Sequence, residues 1–148
     1  MISVCQANFV DLHPDEFKDV LENFDKELPK INPICTECRF LDKTACGRSV
    51  FKTFVKAPWP ISNRNMISVR YLLLDKSPNE HLLFYSEEGN NDYVLKHMTK
   101  EDRKKYVLAR TFISAFWILP VKEGDEIKGS KFCYVTSMDL CGSIPQFV

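Results

Sequence analysis

Residues 56–70 read Lys56-Ala57-Pro58-Trp59-Pro60-Ile61-Ser62-Asn63-Arg64-Asn65-Met66-Ile67-Ser68-Val69-Arg70. The two prolines cannot donate to a strand ladder, so they end the extended segment that precedes them. Beyond them, residues 66–74 are rich in apolar and β-branched side chains and predict a new strand. On the near side, Lys52 and Lys56 share one face of a strand over 48–57, so Phe51, Thr53 and Val55 take the other. Residues 34–41 form its hairpin partner across a polar turn at 42–47. Further out, strands are predicted over 3–10, 81–85, 107–121 and 131–139, with a loop at 76–80 and a charged turn at 122–129.

One segment breaks this rhythm. Pro14 suits a first helical position, and Asp15 and Glu16 follow where the helix dipole favours negative charge. Phe17, Val20, Leu21 and Phe24 then fall at i, i+3, i+4 and i+7, a single apolar stripe. The residue ahead of a proline is pushed out of the α region, so the helix is expected to end before Pro29. Residues 90–105 read as polar and irregular, except that Thr99 and Asp102 resemble a capping box for a short helix. One helix, many antiparallel strands and no βαβ alternation make an α+β fold with the helix on one face of a long bent sheet.

Composition narrows the function. The chain has 148 residues, enough for one domain with a real core. Twenty basic and twenty acidic residues cancel, which argues against a nucleic-acid partner. Eleven phenylalanines need a core, a pocket or an interface to bury them. Residues 1–10 have neither a basic region nor a long apolar run, unlike a signal peptide. The apolar stretch 112–121 is too short to span a bilayer. The six cysteines are accordingly expected to be reduced thiols in a cytoplasmic protein.

Two motifs go further than patterning. The first is the turn quoted above, and the second is Cys133-Tyr134-Val135-Thr136 continuing through Asp139 to Gly142-Ser143-Ile144-Pro145. Together they resemble the START (StAR-related lipid-transfer) family, with its Trp-Pro-x-Ser-x-Arg-Asp turn and its Asp-Pro-x-Gly-x-Ile-Pro ending. Val107-Leu108-Ala109 and Ser114-Ala115-Phe116-Trp117-Ile118 look like the family strand after its variable loop. The helix at Pro14 also falls where the family places one. The departures are Asn65 for the usual acid, Leu140 for the usual proline and Ile31 for a common tryptophan.

The resemblance implies a helix-grip fold, a curved antiparallel sheet wrapped around a helix with an internal hydrophobic cavity. It implies lipid binding and intermembrane transfer without catalysis, no cofactor and no metal, with the lipid a sterol, fatty acid or phospholipid. It also implies that the family's first helix and strands and its C-terminal helix have no counterpart here. A single lipid-binding domain over 1–148, incomplete at both ends and prone to self-association, is the expectation. A regulatory or interaction module with a degenerate pocket is one alternative, and a cyclase of a related helix-grip fold is another.

Strand parity proposes the cavity wall. Phe51, Thr53 and Val55 share one face, and Met66, Ser68, Arg70 and Leu72 share the next. Phe112, Ser114, Phe116 and Ile118 form a third, and Phe132, Tyr134 and Thr136 a fourth. Ordinary core packing would produce the same pattern. By the resemblance, Arg70 stands where sterol-binding members carry a buried arginine paired to a glutamate, and Phe51 occupies the partner position. An arginine cannot shed its charge, so it must meet an anionic headgroup or carboxylate, find another acid, or snorkel to water. By the same resemblance, the positions matching the family's choline cage read Thr53 and Met66, without the aromatic faces that a quaternary ammonium requires, and the position of its phosphate-contacting arginine reads Leu28.

Other constellations carry less. Cys35-Thr36-Glu37-Cys38 with Cys46 falls short of four zinc ligands, and on a regular strand Cys35 and Cys38 would face opposite ways. His13, His81 and His97 have no nucleophile or orienting acid placed beside them. The Arg103-Lys104-Lys105 run suits a solvated loop or transient contact with an anionic membrane.

Overall fold

In the computed structural model, residues 2–10, 12–44, 48–74, 82–88 and 91–142 are described. The turn at Pro58 separates β3 (Ser49–Val55) from β4 (Arg64–Leu74), which pair antiparallel with Thr53 opposite Met66. β2 (Cys35–Lys43) closes the hairpin with β3. On the other side β4 pairs with β5 (Leu82–Glu88), then β7 (Arg110–Glu123), β8 (Glu126–Asp139) and β1 (Ile2–Val10). The sheet thus runs β1-β8-β7-β5-β4-β3-β2, antiparallel throughout, with the two-residue β6 (Val107–Leu108) laid parallel on β4. The strand expected over 107–121 is therefore broken at Ala109. The turn expected at 122–129 is only Gly124 and Asp125, with Glu123 opposite Glu126 and Gly124 at φ 63°.

α1 (Pro14–Glu22) starts as its sequence dictates. The His13 side chain accepts from the Asp15 N–H, and the Glu16 carboxylate accepts from the His13 N–H. The helix breaks at Asn23, and α2 (Phe24–Ile31) continues past Pro29, against the expectation that Pro29 would end it. Pro29 loses one backbone bond, but Leu28 packs on two core clusters, and the Asn32 N–H closes the last turn on the Leu28 carbonyl.

The helical pair covers one face of the sheet. Leu21, Phe24 and Ile118 form its buried centre, with Phe17, Leu72, Phe116 and Phe132 packed around them. Phe9, Phe17 and Phe132 meet ring to ring, and Phe116 carries the contact on to Phe24 and Tyr134. Five of the eleven phenylalanines are used here, and a fully buried one stabilises by roughly 1.5–3 kcal/mol.

The opposite face is covered as well. Two short helices, α3 (Asn91–His97) and α4 (Lys100–Lys105), occupy a segment expected to be mostly irregular. The Thr99–Asp102 capping box forms. Met98 packs on Val50, Ile67 and Val69. Lys52 does take the face opposite Thr53, yet it is buried, donating to the His97 carbonyl at 2.9 Å and to the Asp102 carboxylate. Among the described residues no helix is long and apolar enough to cross a membrane.

Candidate functional site

Between α2 and the sheet lies a cavity of about 430 Å³. Its roof is Phe24, Leu28 and Ile31 from α2 with Asn32 and Pro33 beyond. The wall comes from Cys35 on β2, Thr53 and Val55 on β3, and Met66, Ser68 and Arg70 on β4. β7 adds Thr111, Ser114 and Phe116, and β8 adds Tyr134 and Met138. A mostly apolar chamber with a few convergent polar groups is the usual form of a small-molecule site.

Strand parity thus brings Thr53, Val55, Met66, Ser68, Arg70, Ser114, Phe116 and Tyr134 to one chamber. It does not bring the other six, of which Phe132 packs against the core cluster of Leu21, Phe24 and Ile118. Ile118 is fully buried in the core under α1, and Leu72 packs beside it. Phe51 stays out of the lining, packed in a buried cluster with Cys38 and the wall residue Cys35. Thr136 shares a face with Tyr134, but its hydroxyl donates to the Ile113 carbonyl at 3.4 Å and stays out of the lining. Phe112 is 46% exposed, because the β7–β8 register slips between Thr111 and Ile113. A bulge adds one residue and reverses parity beyond it, so Thr111 lines the cavity and Phe112 does not.

A second bulge corrects the reading of the cysteines. The β2–β3 register slips between Cys35 and Glu37. Cys35 and Cys38, expected on opposite faces, are therefore both buried in one cluster with Phe51. Cys46, His81 and the Ser143-Ile144-Pro145 part of the second motif lie outside the described residues.

Arg70 is the dominant charge of the chamber. Only 7% exposed, its guanidinium is held between the Phe24 and Phe51 rings at 4.3 and 4.4 Å from their centroids. It donates to Thr53 Oγ1 at 3.3 Å and to Cys38 Sγ at 3.8 Å. Burial lowers its pKa, and Cys38 acts in the opposite sense. Phe51, standing where the resemblance places an acid, instead offers the guanidinium an aromatic face. Across the chamber Ser114 Oγ donates to the Tyr134 hydroxyl at 3.4 Å.

Sequence reasoning missed the roof and three wall residues, Cys35, Thr111 and Met138. Two of the three stand beside bulges, which no parity argument registers. Ile31 lies beyond Pro29, where the helix was expected to have ended, and Leu28 stands directly before that proline.

At one end of the sheet the quoted turn becomes a rim. Trp59 is 92% exposed, and Ile31, Ile34 and Leu140 are exposed too. Arg64 ties this end together, donating to the Ser62, Leu140 and Cys141 carbonyls. The Lys56 N–H reaches the Ile34 carbonyl at 2.8 Å.

Residues 3–148 match the family model for the START domain. No curated protein sequence matches the chain significantly. Among solved structures, human STARD10 superposes with a TM-score of 0.79 at 18% identity, over 97% of this chain and 53% of that one. The human StarD13 (DLC2) lipid transfer and protein localization domain gives 0.75 at 13%, over 99% and 66%. Human StAR-related lipid transfer protein 5 gives 0.73 at 10%, over 99% and 64%. The chain spans between about half and two thirds of those chains, and at these identities the likeness is one of fold.

Proposed function

The chain belongs to the START domain family, and from that premise we propose that residues 1–148 act as a non-catalytic lipid-binding domain whose ligand occupies the chamber under α2. The observation that carries this reading is the chamber itself, roofed by Phe24 and Leu28 and walled by Val55, Met66, Phe116 and Met138. Each methylene moved from water into such a lining gains about 0.8 kcal/mol. A chamber of about 430 Å³ falls within the usual range of small-molecule sites.

Polar groups on the wall choose the headgroup, since an unmatched buried polar group is expensive. Arg70, Thr53 and Ser68 favour an oxygen-bearing or anionic head. Thr53 and Met66 offer no aromatic cage for choline and Leu28 no charge for its phosphate, all three being in the lining. The exposed Trp59, Ile31, Ile34 and Leu140 at the rim support transient contact with a membrane surface while lipid is exchanged. The reading of the cysteines as reduced thiols supports a cytoplasmic location.

Native mass spectrometry after incubation with mixed-lipid vesicles tests the proposal. One bound lipid per chain, with fatty acid or sterol taken in preference to phosphatidylcholine, is the expected spectrum. A bare chain under all conditions refutes the carrier reading, and selective uptake of phosphatidylcholine refutes the headgroup argument.

A further inference from the structure

The β2 bulge does more than rearrange packing, because it places a nucleophile on the wall of the lipid chamber. Cys35 is 3% exposed to solvent yet lines the cavity. Cys38, turned to the same face by the bulge, sits in the same buried cluster and accepts from Arg70 Nη1 at 3.8 Å. The Arg70 guanidinium also lines the cavity, its plane fixed between Phe24 and Phe51. A thiol and a clamped hydrogen-bond donor therefore face one apolar space.

We propose that Cys35 is a covalent capture site for lipids bearing an α,β-unsaturated carbonyl, with Arg70 holding the carbonyl oxygen. This rests on the lipid-binding reading of the same chamber. In the step, the Cys35 sulfur forms a bond to the β-carbon while the carbon–carbon π pair moves toward the carbonyl. The negative charge that develops on oxygen is stabilised by the Arg70 N–H groups. The thiol hydrogen ends on the α-carbon, nothing leaves, and no oxidant is needed.

Selectivity follows from burial. The thiolate is the reactive form, and burial, then Cys38, pushes the Cys35 thiol up, with Arg70 pulling the other way. Cys35 is thus a poor target for reagents in bulk water, which meet the exposed Cys5 first. A lipid already seated in the chamber meets Cys35 at high effective concentration. Cys38 is buried but off the lining, so it serves as an internal control.

The test uses the full chain with two probes, hexadecenal with its double bond conjugated to the aldehyde, and hexadecanol as an unreactive competitor. Native mass spectrometry reads hexadecanol binding, and peptide mapping reads which cysteine gains hexadecenal. The expected result is one adduct at Cys35, formed roughly ten-fold faster than at Cys5, suppressed by hexadecanol and abolished in Cys35→Ser. Iodoacetamide should show the reverse order, Cys5 before Cys35. If hexadecanol binds while hexadecenal reacts first at Cys5, the capture site is wrong and the lipid-binding reading stands. If hexadecanol neither binds nor protects, both fail. Should Cys35→Ser fold poorly, protection of Cys35 in the unaltered chain decides the matter.

Discussion

Replacing Arg70 by methionine keeps most of the stem's volume and removes the charge, which separates what Arg70 does for the fold from what it does for a ligand. On the side of the fold, the substitution loses two desolvated stacking contacts, about 2 kcal/mol each. It also loses the bond to Thr53 Oγ1, about 1 kcal/mol. Against this, a charge that is only 7% exposed no longer has to be held away from water, a relief of several kcal/mol. These nearly cancel, so unfolding free energy should move by less than about 1.5 kcal/mol in either direction, near the noise of a typical substitution. On the side of the ligand there is no cancellation. A charge-assisted hydrogen bond is worth roughly 1.5–3 kcal/mol, so Arg70→Met should weaken retention of a fatty acid by about 10- to 150-fold. Urea denaturation of the free chain and titration with a fluorescent fatty acid measure the two quantities separately. Unchanged affinity, with or without a loss of stability, would reduce Arg70 to a packing residue and refute the reasoning.

Three further expectations concern the parts around the chamber. Ile118→Ala should cost about 2–5 kcal/mol in thermal or urea unfolding, because Ile118 is fully buried. Phe112→Ala on the same strand should stay within about 0.5 kcal/mol because the bulge exposes it, and equal losses at both positions would refute the register. Asp102 would be raised by burial alone, but bonds from Lys52 and from the Thr99 side chain and backbone hold its carboxyl at about 2. Its contribution, at most roughly 2 kcal/mol, should therefore be fully present above about pH 4 and be lost as pH falls toward 2. Asp102→Asn should flatten that acid limb of the stability curve. Trp59→Ala should leave the melting temperature unchanged, since the side chain is 92% exposed, yet lower co-sedimentation with lipid vesicles. Undiminished vesicle binding would remove Trp59 from the membrane contact.

Much of the fold could be read from local chemistry. The Phe17, Val20, Leu21, Phe24 stripe, the prolines at 58 and 60, the Thr99–Asp102 cap and the alternation on β3 and β4 each depend on neighbours within a few residues. Period and capping are local properties, so these elements could be placed without knowing what they pack against. The motifs at Trp59 and Asp139 added the family. The chamber was legible only where strand parity ran undisturbed, as on β3 and β4, where Thr53, Val55, Met66, Ser68 and Arg70 all reach it.

What tertiary structure alone decided lies at the irregularities. A bulge is one extra residue accommodated by the partner strand, so the sequence of β2 or β7 by itself does not announce it. Those two insertions turned Cys35 and Cys38 to one face, sent Phe112 outward and brought Thr111 in. Helix α2 outlasts Pro29 because the packing of Leu28 on distant clusters outweighs one missing hydrogen bond, and that balance cannot be weighed from either residue alone. Lys52 looks like a solvent residue until α4 closes over it with Asp102, fifty positions away in sequence. Period and capping follow from the chain's own backbone, while the roof of the chamber and the surroundings of its charges depend on which distant surface comes to lie against them.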